Sequence, residues 1–297
     1  MLGPRDVVAL ARVSKRTHGV LLGSDYARAA AHATAGLTFC AARDLFRAAL
    51  RALESDHAPP PTCLAALIDT LAANKMTAAR SSFFPLLVRK LLAVPAVLAP
   101  HSRGVEPCPL VVAAEAGHAS IVPDLLAHED VDPAHGCYFA FRQAAALGHA
   151  GVVAVLLADK RVDPEACDGE PLAAAIRYGH AHIVELLLSD ERVDPARNNN
   201  AAICTAAELG RALIVDTLLA HPAVDPGACD DTPIRAAAEH GHAAVVARLL
   251  AHPCVNARAC FDYPLRAATD RGHALVVALL THHIAAQYAF DSFDVYH

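Results

Sequence analysis

Residues 170–195 read EPLAAAIRYGHAHIVELLLSDERVDP, and this stretch holds the pattern that decides the fold. Pro171 suits the first turn of a helix, where its missing N–H is harmless, and Gly179 suits the left-handed residue that commonly follows a helix. From Ile183 onward, apolar residues recur at i, i+1, i+4 and i+5, as on one face of a second helix. The Val-Asp-Pro at 193–195 predicts an extended loop, because Pro cannot continue a helix. The stretch therefore predicts a helix, a tight turn, a second helix and a loop.

The same pattern recurs along the chain with a period of 31 residues. One ladder is a Gly followed by His, or once by Arg, and it stands at Gly117, Gly148, Gly179, Gly210, Gly241 and Gly272. A second ladder is a Val followed by Asp, or once by Asn, and it stands at Val131, Val162, Val193, Val224 and Val255. Two independent ladders with one period predict six stacked repeats, each of which buries its apolar stripe against its neighbours.

The stretch 232–250, TPIRAAAEHGHAAVVARLL, carries Thr-Pro-Ile, Gly-His, Val-Val and Leu-Leu elements and resembles an ankyrin repeat. The resemblance extends over residues 104–285. The family's repeat has about 33 residues, so we expect the hairpin between repeats to be shortened or replaced by a tighter loop. The resemblance implies an all-α fold, an ankyrin-type helical solenoid with short inter-repeat loops, preceded by a small helical N-terminal region. It also implies a protein that binds other proteins.

The ends of the chain depart from the repeat. We expect residues 59–103 to form a degenerate N-terminal capping repeat and residues 286–297 to form a C-terminal tail, because terminal repeats must meet water. Residues 1–58 are predicted to be a separate helical region. Within it, the run RDVVALARVSKR at 5–16 resembles the second half of an F-box, although the aromatic residue expected after Lys15 is absent. That resemblance implies docking to the adaptor of a cullin-type ubiquitin ligase; the apolar face of the same helix could equally serve as a plain cap.

Composition excludes several classes of protein. The chain has 297 residues and a formal charge of −6, without the basic stripe that a nucleic-acid-binding protein shows. No apolar run reaches the length of about 18 residues that a membrane helix needs, and the N-terminus lacks the apolar core of a signal peptide. We therefore expect a cytoplasmic protein, with the nucleus as the alternative. The nine cysteines form no CxxC pair and predict reduced thiols; those that recur in step are expected to be small buried residues: Cys167, Cys229 and Cys260.

No motif predicts an enzyme. The sequence contains no GxSxG, no phosphate-binding Gly-rich loop and no HExxH. Five of the 18 histidines belong to the Gly-His ladder. Others share one loop position with aspartates at the 31-residue step, which indicates a polar loop or cap position and not a metal site: His128, Asp159, Asp190, His221, His252 and His283. We therefore expect no catalytic residues, no metal and no cofactor.

Positions that vary between the repeats are the candidates for binding. They lie at loop tips and on the exposed side of the first helices, which line the concave face of such solenoids. Tyr and Arg are enriched among residues that dominate binding energy. The predicted partner-binding residues are Tyr138, Phe139, Arg142, Arg177, Tyr178, Asn200, Asp231, Arg235, His240, Phe261, Tyr263 and Arg266. The sequence thus predicts a monomeric protein–protein interaction scaffold that binds a partner protein on its concave face, or alternatively the substrate-recognition subunit of a ubiquitin ligase.

Overall fold

The structure is a computed structural model that describes residues 109–128 and 131–294, with side chains to residue 287. All regular secondary structure in these residues is helical, which confirms the predicted all-α fold class. The N-terminal region 1–58, with its F-box-like run, and the predicted capping repeat 59–103 lie outside the described residues. No helix in the described part of the chain is long and apolar enough to span a membrane.

The helices come in pairs that follow the repeat. The bounds are α1 (Pro109–Glu115), α2 (Val122–Leu126), α3 (His135–Leu147), α4 (Ala150–Ala158), α5 (Ala166–Tyr178), α6 (Ala181–Leu188), α7 (Arg197–Glu208), α8 (Ala212–Leu219), α9 (Ala228–Glu239), α10 (Ala243–Leu249), α11 (Ala259–Asp270) and α12 (Ala274–Asp294). The odd-numbered helix of each pair is called the first helix and the even-numbered one the second.

The chain divides into two compact units. Among the described residues, unit 1 comprises 109–128, 131–144 and 151–163, and unit 2 comprises 145–150 and 164–294. In unit 1 the core is formed by large apolar side chains that are almost completely buried: Leu110, Ile121, Leu125, Phe141 and Leu156. The guanidinium of Arg161 ties the end of α2 to the loop after α4, because it donates to the Leu126 carbonyl at 2.7 Å and pairs with Asp159 at 2.6 Å.

Unit 2 consists of two layers of helices. Its first helices pack against one another, and its second helices pack against one another. Each first helix of this unit from α5 onward carries an alanine with no exposed surface, and so small a side chain lets packed helices approach closely: Ala175, Ala206, Ala237 and Ala268. The second helices contribute the larger apolar side chains, such as Ile183, Val184 and Leu187 in α6. The repeated stripe predicted from the sequence is therefore the core of this unit.

A hydrogen bond between successive repeats explains the Gly-His ladder. Nε2 of His180 lies 2.9 Å from the Ala146 carbonyl oxygen, 34 residues earlier in the chain. The carbonyl can only accept, so Nε2 carries the hydrogen and donates. Arg211, the one exception in the ladder, donates from Nη2 to the Arg177 carbonyl at 2.9 Å and makes the same connection. Histidines restore the pattern in the next two repeats, with His242 on Glu208 at 2.9 Å and His273 on Glu239 at 3.1 Å.

The ladder position requires glycine for two reasons, as Gly179 shows. Its φ of 80° is left-handed, and its N–H closes the C-terminus of α5. A Cβ at this position would also lie 2.9 Å from Nη1 of Arg211, the side chain that crosses over it from the next repeat. Any other residue would therefore have to adopt a strained backbone and displace the connecting side chain.

A left-handed turn replaces the hairpin between repeats. Three consecutive residues have φ between 52° and 78° at 136–138, 167–169, 198–200, 229–231 and 260–262. A backbone bond closes each turn, as between the Asn200 N–H and the Ala196 carbonyl at 2.8 Å. After three of these turns a proline stands in the first turn of the right-handed helix: Pro171, Pro233 and Pro264. The expected tighter loop is thus a single turn of left-handed helix.

The Val-Asp ladder supplies both a core residue and a cap. Val193 is buried, and the carboxylate of Asp194 accepts the Ala196 N–H at 2.9 Å. The aspartates that share a loop position with histidines act in the same way, since Asp190 accepts the Arg192 N–H at 3.0 Å. His221 accepts from the Ala223 N–H at 3.3 Å, which agrees with the predicted role as a cap position.

We predict that Gly241→Ala destabilises the protein more than Gly272→Ala. The two glycines have φ of 77° and 76°, but a Cβ at Gly241 would lie 2.6 Å from Nδ1 of His273, whereas nothing in the described residues lies within 4 Å of one at Gly272. Left-handed strain should lower the free energy of unfolding by about 1 to 2 kcal/mol in both variants. The clash should cost Gly241→Ala about 1 to 3 kcal/mol more. Chemical denaturation measures both.

The histidine provides the control for this comparison. In a His273→Ala background the clash is removed, so the two glycine substitutions should then cost the same. Equal costs with His273 in place would contradict the role of the crossing side chain.

Candidate functional site

The second residue of each left-handed turn faces solvent. Phe261 occupies this position in the last turn, with φ of 61° and 92% of its surface exposed. A bulky side chain in left-handed backbone is strained, and an exposed Phe ring is unfavourable in water. Tyr138, the third residue of the turn at 136–138, is half-buried. Phe261 therefore stands out among the predicted residues as an exposed side chain that costs stability in two ways.

Two predicted arginines lie over predicted aromatic rings. In unit 2 the guanidinium carbon of Arg235 is 5.2 Å from the centre of the Tyr263 ring, which belongs to the following repeat. In unit 1 that of Arg142 is 5.5 Å from the centre of the Phe139 ring. Both distances are those of cation–π contacts. Within each pair the two side chains contact each other, so part of their surface already has a partner within the same unit.

Glu239, at the end of α9, holds α11 at two points beside the Arg235–Tyr263 pair. Its Oε2 accepts the Tyr263 hydroxyl hydrogen at 3.0 Å, and its Oε1 pairs with Nη2 of Arg271. The hydrogen bond from Tyr263, followed by the charge of Arg271, lowers the pKa of Glu239 below its usual value. The same bond raises the pKa of Tyr263. The sequence did not single out Glu239, which carries the charge that organises this cluster.

The predicted residues at the ends of first helices are exposed. Tyr178 is the last residue of α5 and is 58% exposed. Its neighbour Arg177 pairs with Glu170 at 3.2 Å on the surface. His240 is exposed and stacks on His242 with ring centres 6.1 Å apart. Arg266 is exposed as well. These side chains remain accessible to a partner.

Asn200 and Asp231 are used inside the protein. Each is the third residue of its left-handed turn and holds the loop that leads into the next repeat. Oδ1 of Asn200 accepts the Asp225 N–H at 2.8 Å, and Oδ1 of Asp231 accepts the Asn256 N–H at 2.8 Å. Asp231 is buried, so its predicted placement at an exposed tip is wrong. Both residues have a structural role and are left out of the surface proposed below.

Sequence reasoning missed two exposed leucines. Leu147 ends α3 and Leu209 follows α7, and both are exposed. They precede the ladder glycine, as Tyr178 does, at steps of 31 residues. The internal alignment that revealed Tyr178 could have revealed them too, because an apolar residue that recurs at a surface position is informative. Two further exposed leucines, Leu213 and Leu275, lie on second helices.

The predictions about cysteine are wrong at several positions. Three cysteines were expected to be buried but are exposed, because each begins a left-handed turn at a loop tip: Cys167, Cys229 and Cys260. Cys137 and Cys167 were expected to be reduced but are disulfide-bonded. Cys204 is half-buried, and burial raises the pKa of its thiol to about 11. The 31-residue step of these residues therefore marks a turn position and not a core position.

Comparison with known families agrees with this architecture. Residues 141–228 match the family model described as ankyrin repeats, in three copies. This segment consists of ankyrin repeats. No curated protein matches the chain. The matched residues include Leu147, Tyr178 and Leu209, so the exposed ends of three first helices lie within the matched segment. Such repeats indicate a protein–protein interaction module, and they are generally not enzymes.

We predict that Asp231→Asn stabilises the protein at neutral pH. Burial is the largest cause that raises the pKa of Asp231, so the folded state disfavours its anion. A carboxyl group whose folded pKa is raised loses part of its contribution as the pH rises through the unfolded and folded pKa values, and the loss is complete above both. Asn keeps the acceptor for the Asn256 N–H, as Asn200 shows at the equivalent position one repeat earlier. We expect a gain of the order of 1 kcal/mol or less in urea denaturation at pH 7.

The gain should disappear below about pH 3, where Asp231 is protonated in both the folded and the unfolded state. Asp230→Asn in the same turn is the matched control, because Asp230 is exposed. A gain that persists unchanged at low pH, or one that Asp230→Asn reproduces, would contradict the assignment.

Proposed function

We propose that this protein is a binding scaffold that holds a partner protein on the turn–helix surface of unit 2. This surface is defined by Leu147, Tyr178, Leu209, His240, Phe261 and Arg266. All six belong to left-handed turns or to the C-terminal ends and exposed sides of first helices. In ankyrin-type solenoids these elements line the concave side, which is the side expected to bind.

The observation that carries the proposal is the exposed apolar surface. Four of the large hydrophobic side chains exposed in the described residues belong to the turn–helix surface: Leu147, Tyr178, Leu209 and Phe261. Phe261 in addition occupies left-handed backbone, which is strained for this residue. Side chains that lower the stability of the free protein are explained if they gain contacts when a partner binds.

The arrangement of three of these side chains supports a partner that extends along the repeats. Leu147, Tyr178 and Leu209 occupy one position in successive repeats. Packed helices lie about 8 to 10 Å apart, so the three side chains form a row of similar spacing. A Tyr in such a row has the properties of a residue that dominates binding energy, since it combines a large apolar area with a hydroxyl group.

We predict that the triple variant Tyr178→Ser, Leu209→Ser and Phe261→Asn loses its partner while it keeps its fold. Affinity purification with the wild-type protein identifies partners, and calorimetry with the purified partner then measures affinity. The variant should bind at least tenfold more weakly, which corresponds to about 1.4 kcal/mol. Its melting temperature should not fall, because none of the three side chains is buried.

The matched control is Leu213→Ser with Leu275→Ser, which removes exposed leucines from second helices. Control and wild type should bind equally. If the control weakens binding as much as the triple variant does, or if the triple variant binds normally, the turn–helix surface is not the binding site.

A second candidate function comes from the sequence of residues 5–16, RDVVALARVSKR, with its resemblance to an F-box. On this proposal the N-terminal region recruits a ubiquitin ligase and the repeats select the substrate. Deletion of residues 1–33 should then abolish co-purification of a cullin adaptor and leave capture of the repeat-bound partner unchanged. Absence of the adaptor from the full-length purification would exclude this role and leave the scaffold function standing.

A further inference from the structure

A small cleft opens between two adjacent repeats of unit 2. It lies between α5 and α7 and has a volume of about 100 Å³. Its lining includes Leu172, Ala173 and Ile176 from α5 and Ala201, Ala202 and Thr205 from α7. Sites for cofactors and small molecules usually have volumes of about 300 to 1,000 Å³. The cleft therefore has the size for one side chain of a macromolecule.

Comparison between repeats shows why the cleft is open here. Ala173 and Ala201 occupy the repeat positions of Arg235 and Tyr263, because both pairs differ by two periods (235 − 173 = 62 and 263 − 201 = 62). In the later pair, the Arg235 guanidinium covers the Tyr263 ring at 5.2 Å and Nη1 donates to the Asp230 carbonyl at 3.4 Å. Two alanines cannot fill the same space. The protein thus contains one filled and one open version of the same inter-repeat position.

The floor of the cleft is apolar. Leu172 is 6% exposed and Ile176 is completely buried, and both contribute to the lining. The exposed Ala201 and the half-buried Ala173 form the walls where the later repeats carry a ring and a guanidinium. An occupant therefore needs an apolar portion that can lie against methyl and methylene groups.

The rim of the cleft is acidic. It carries Glu165, Asp168 and Asp194 against one cation, Arg197, which gives a net charge of −2 (1 − 3). Arg197 pairs with Glu165 at 2.6 Å, and the other Glu165 oxygen accepts the Asp194 N–H at 2.8 Å. Asp168 meets Arg197 only at 3.2 Å, and 85% of its side chain is exposed. Asp168 therefore presents a carboxylate that can pair with an incoming cation.

We propose that this cleft receives an arginine side chain of the partner protein. The methylene groups lie on Leu172 and between the methyl groups of Ala173 and Ala201. The guanidinium pairs with Asp168 at the rim. Arginine is the residue that the chain itself uses at the filled version of the position, and its planar fork suits a carboxylate better than the compact ammonium of lysine does. A leucine would fit the floor but leave the acidic rim without a counter-charge. This inference rests on the proposed scaffold function and specifies what the partner must present.

Side-chain analogues test the chemistry directly. Nuclear magnetic resonance titrations of the full chain use N-acetyl-arginine methylamide and the corresponding lysine and leucine compounds as probes. The arginine probe should cause saturable shifts at Ala173, Ala201 and Thr205 with an affinity at least threefold higher than that of either other probe. Asp168→Asn should reduce the arginine affinity at least threefold and leave the leucine response unchanged. Stronger shifts with the leucine probe, or no effect of Asp168→Asn, would overturn the proposal.

The filled version of the position supplies the variant that tests the location. Ala173→Arg with Ala201→Tyr places the chain's own arginine and ring in the cleft, and it should abolish the shifts. Ala244→Arg with Ala220→Tyr adds the same residue types at exposed positions elsewhere on unit 2 and should leave them unchanged. Circular dichroism verifies that both variants fold. Normal binding of the arginine probe by the filled, folded variant would show that it binds elsewhere.

The purified partner separates this inference from the scaffold function. If the partner binds the filled variant normally but not the variant of Tyr178, Leu209 and Phe261, the cleft proposal is wrong and the scaffold function stands. If the probe titrations succeed but no partner is ever captured, the scaffold function fails on its own evidence. Tenfold or greater loss of partner affinity in the filled variant supports both.

Discussion

The hydrogen bond that crosses the ladder glycines Gly148, Gly179, Gly210 and Gly241 is the constraint on which unit 2 depends. It joins the side chain after one glycine to a carbonyl 34 residues earlier, at the end of the preceding first helix. The crossing side chain occupies the space where a Cβ would stand. Histidine and arginine can both make the connection because each has an N–H at the required reach, whereas the bare glycine beneath them has no substitute. One contact thus fixes the turn, the spacing of the helices and the period of the sequence.

The left-handed turn explains how a repeat of 31 residues can keep the helical stack. Three left-handed residues reverse the chain in less length than a hairpin needs, at a cost of about 1 to 2 kcal/mol for each residue other than glycine. Asn and Asp in the turn reduce that cost. The side chain of the third turn residue also accepts a hydrogen bond from the backbone of the next loop, as Asn200 and Asp231 do. The turn and the loop that leads into the next repeat therefore stabilise each other through this hydrogen bond.

The fold was predictable because its determinants are local and repeated, and the site was predictable only in part. The ladders that include Gly179 and Val193 reflect backbone and packing requirements that the repeats share. Variation between repeats indicates only that a position is free to change. It does not distinguish Phe261, which faces solvent, from Asp231, which faces the next repeat, because that distinction follows from the left-handed path of the turn. The predicted burial of the cysteines was wrong for the same reason. Their regular spacing indicated a repeated environment, but that environment is an exposed turn and not the core.

The differences between equivalent positions are where a repeat protein can acquire specificity. Arg235 with Tyr263 and Ala173 with Ala201 stand on the same backbone positions, yet one pair closes the surface and the other opens it. Neither pair takes part in the crossing hydrogen bonds or in the buried rows of alanine. Large and small residues can therefore exchange at these positions without a change in how the repeats stack. Positions of this kind distinguish one repeat from another, whereas the ladders recur in the repeats with single exceptions at Arg211 and Asn256.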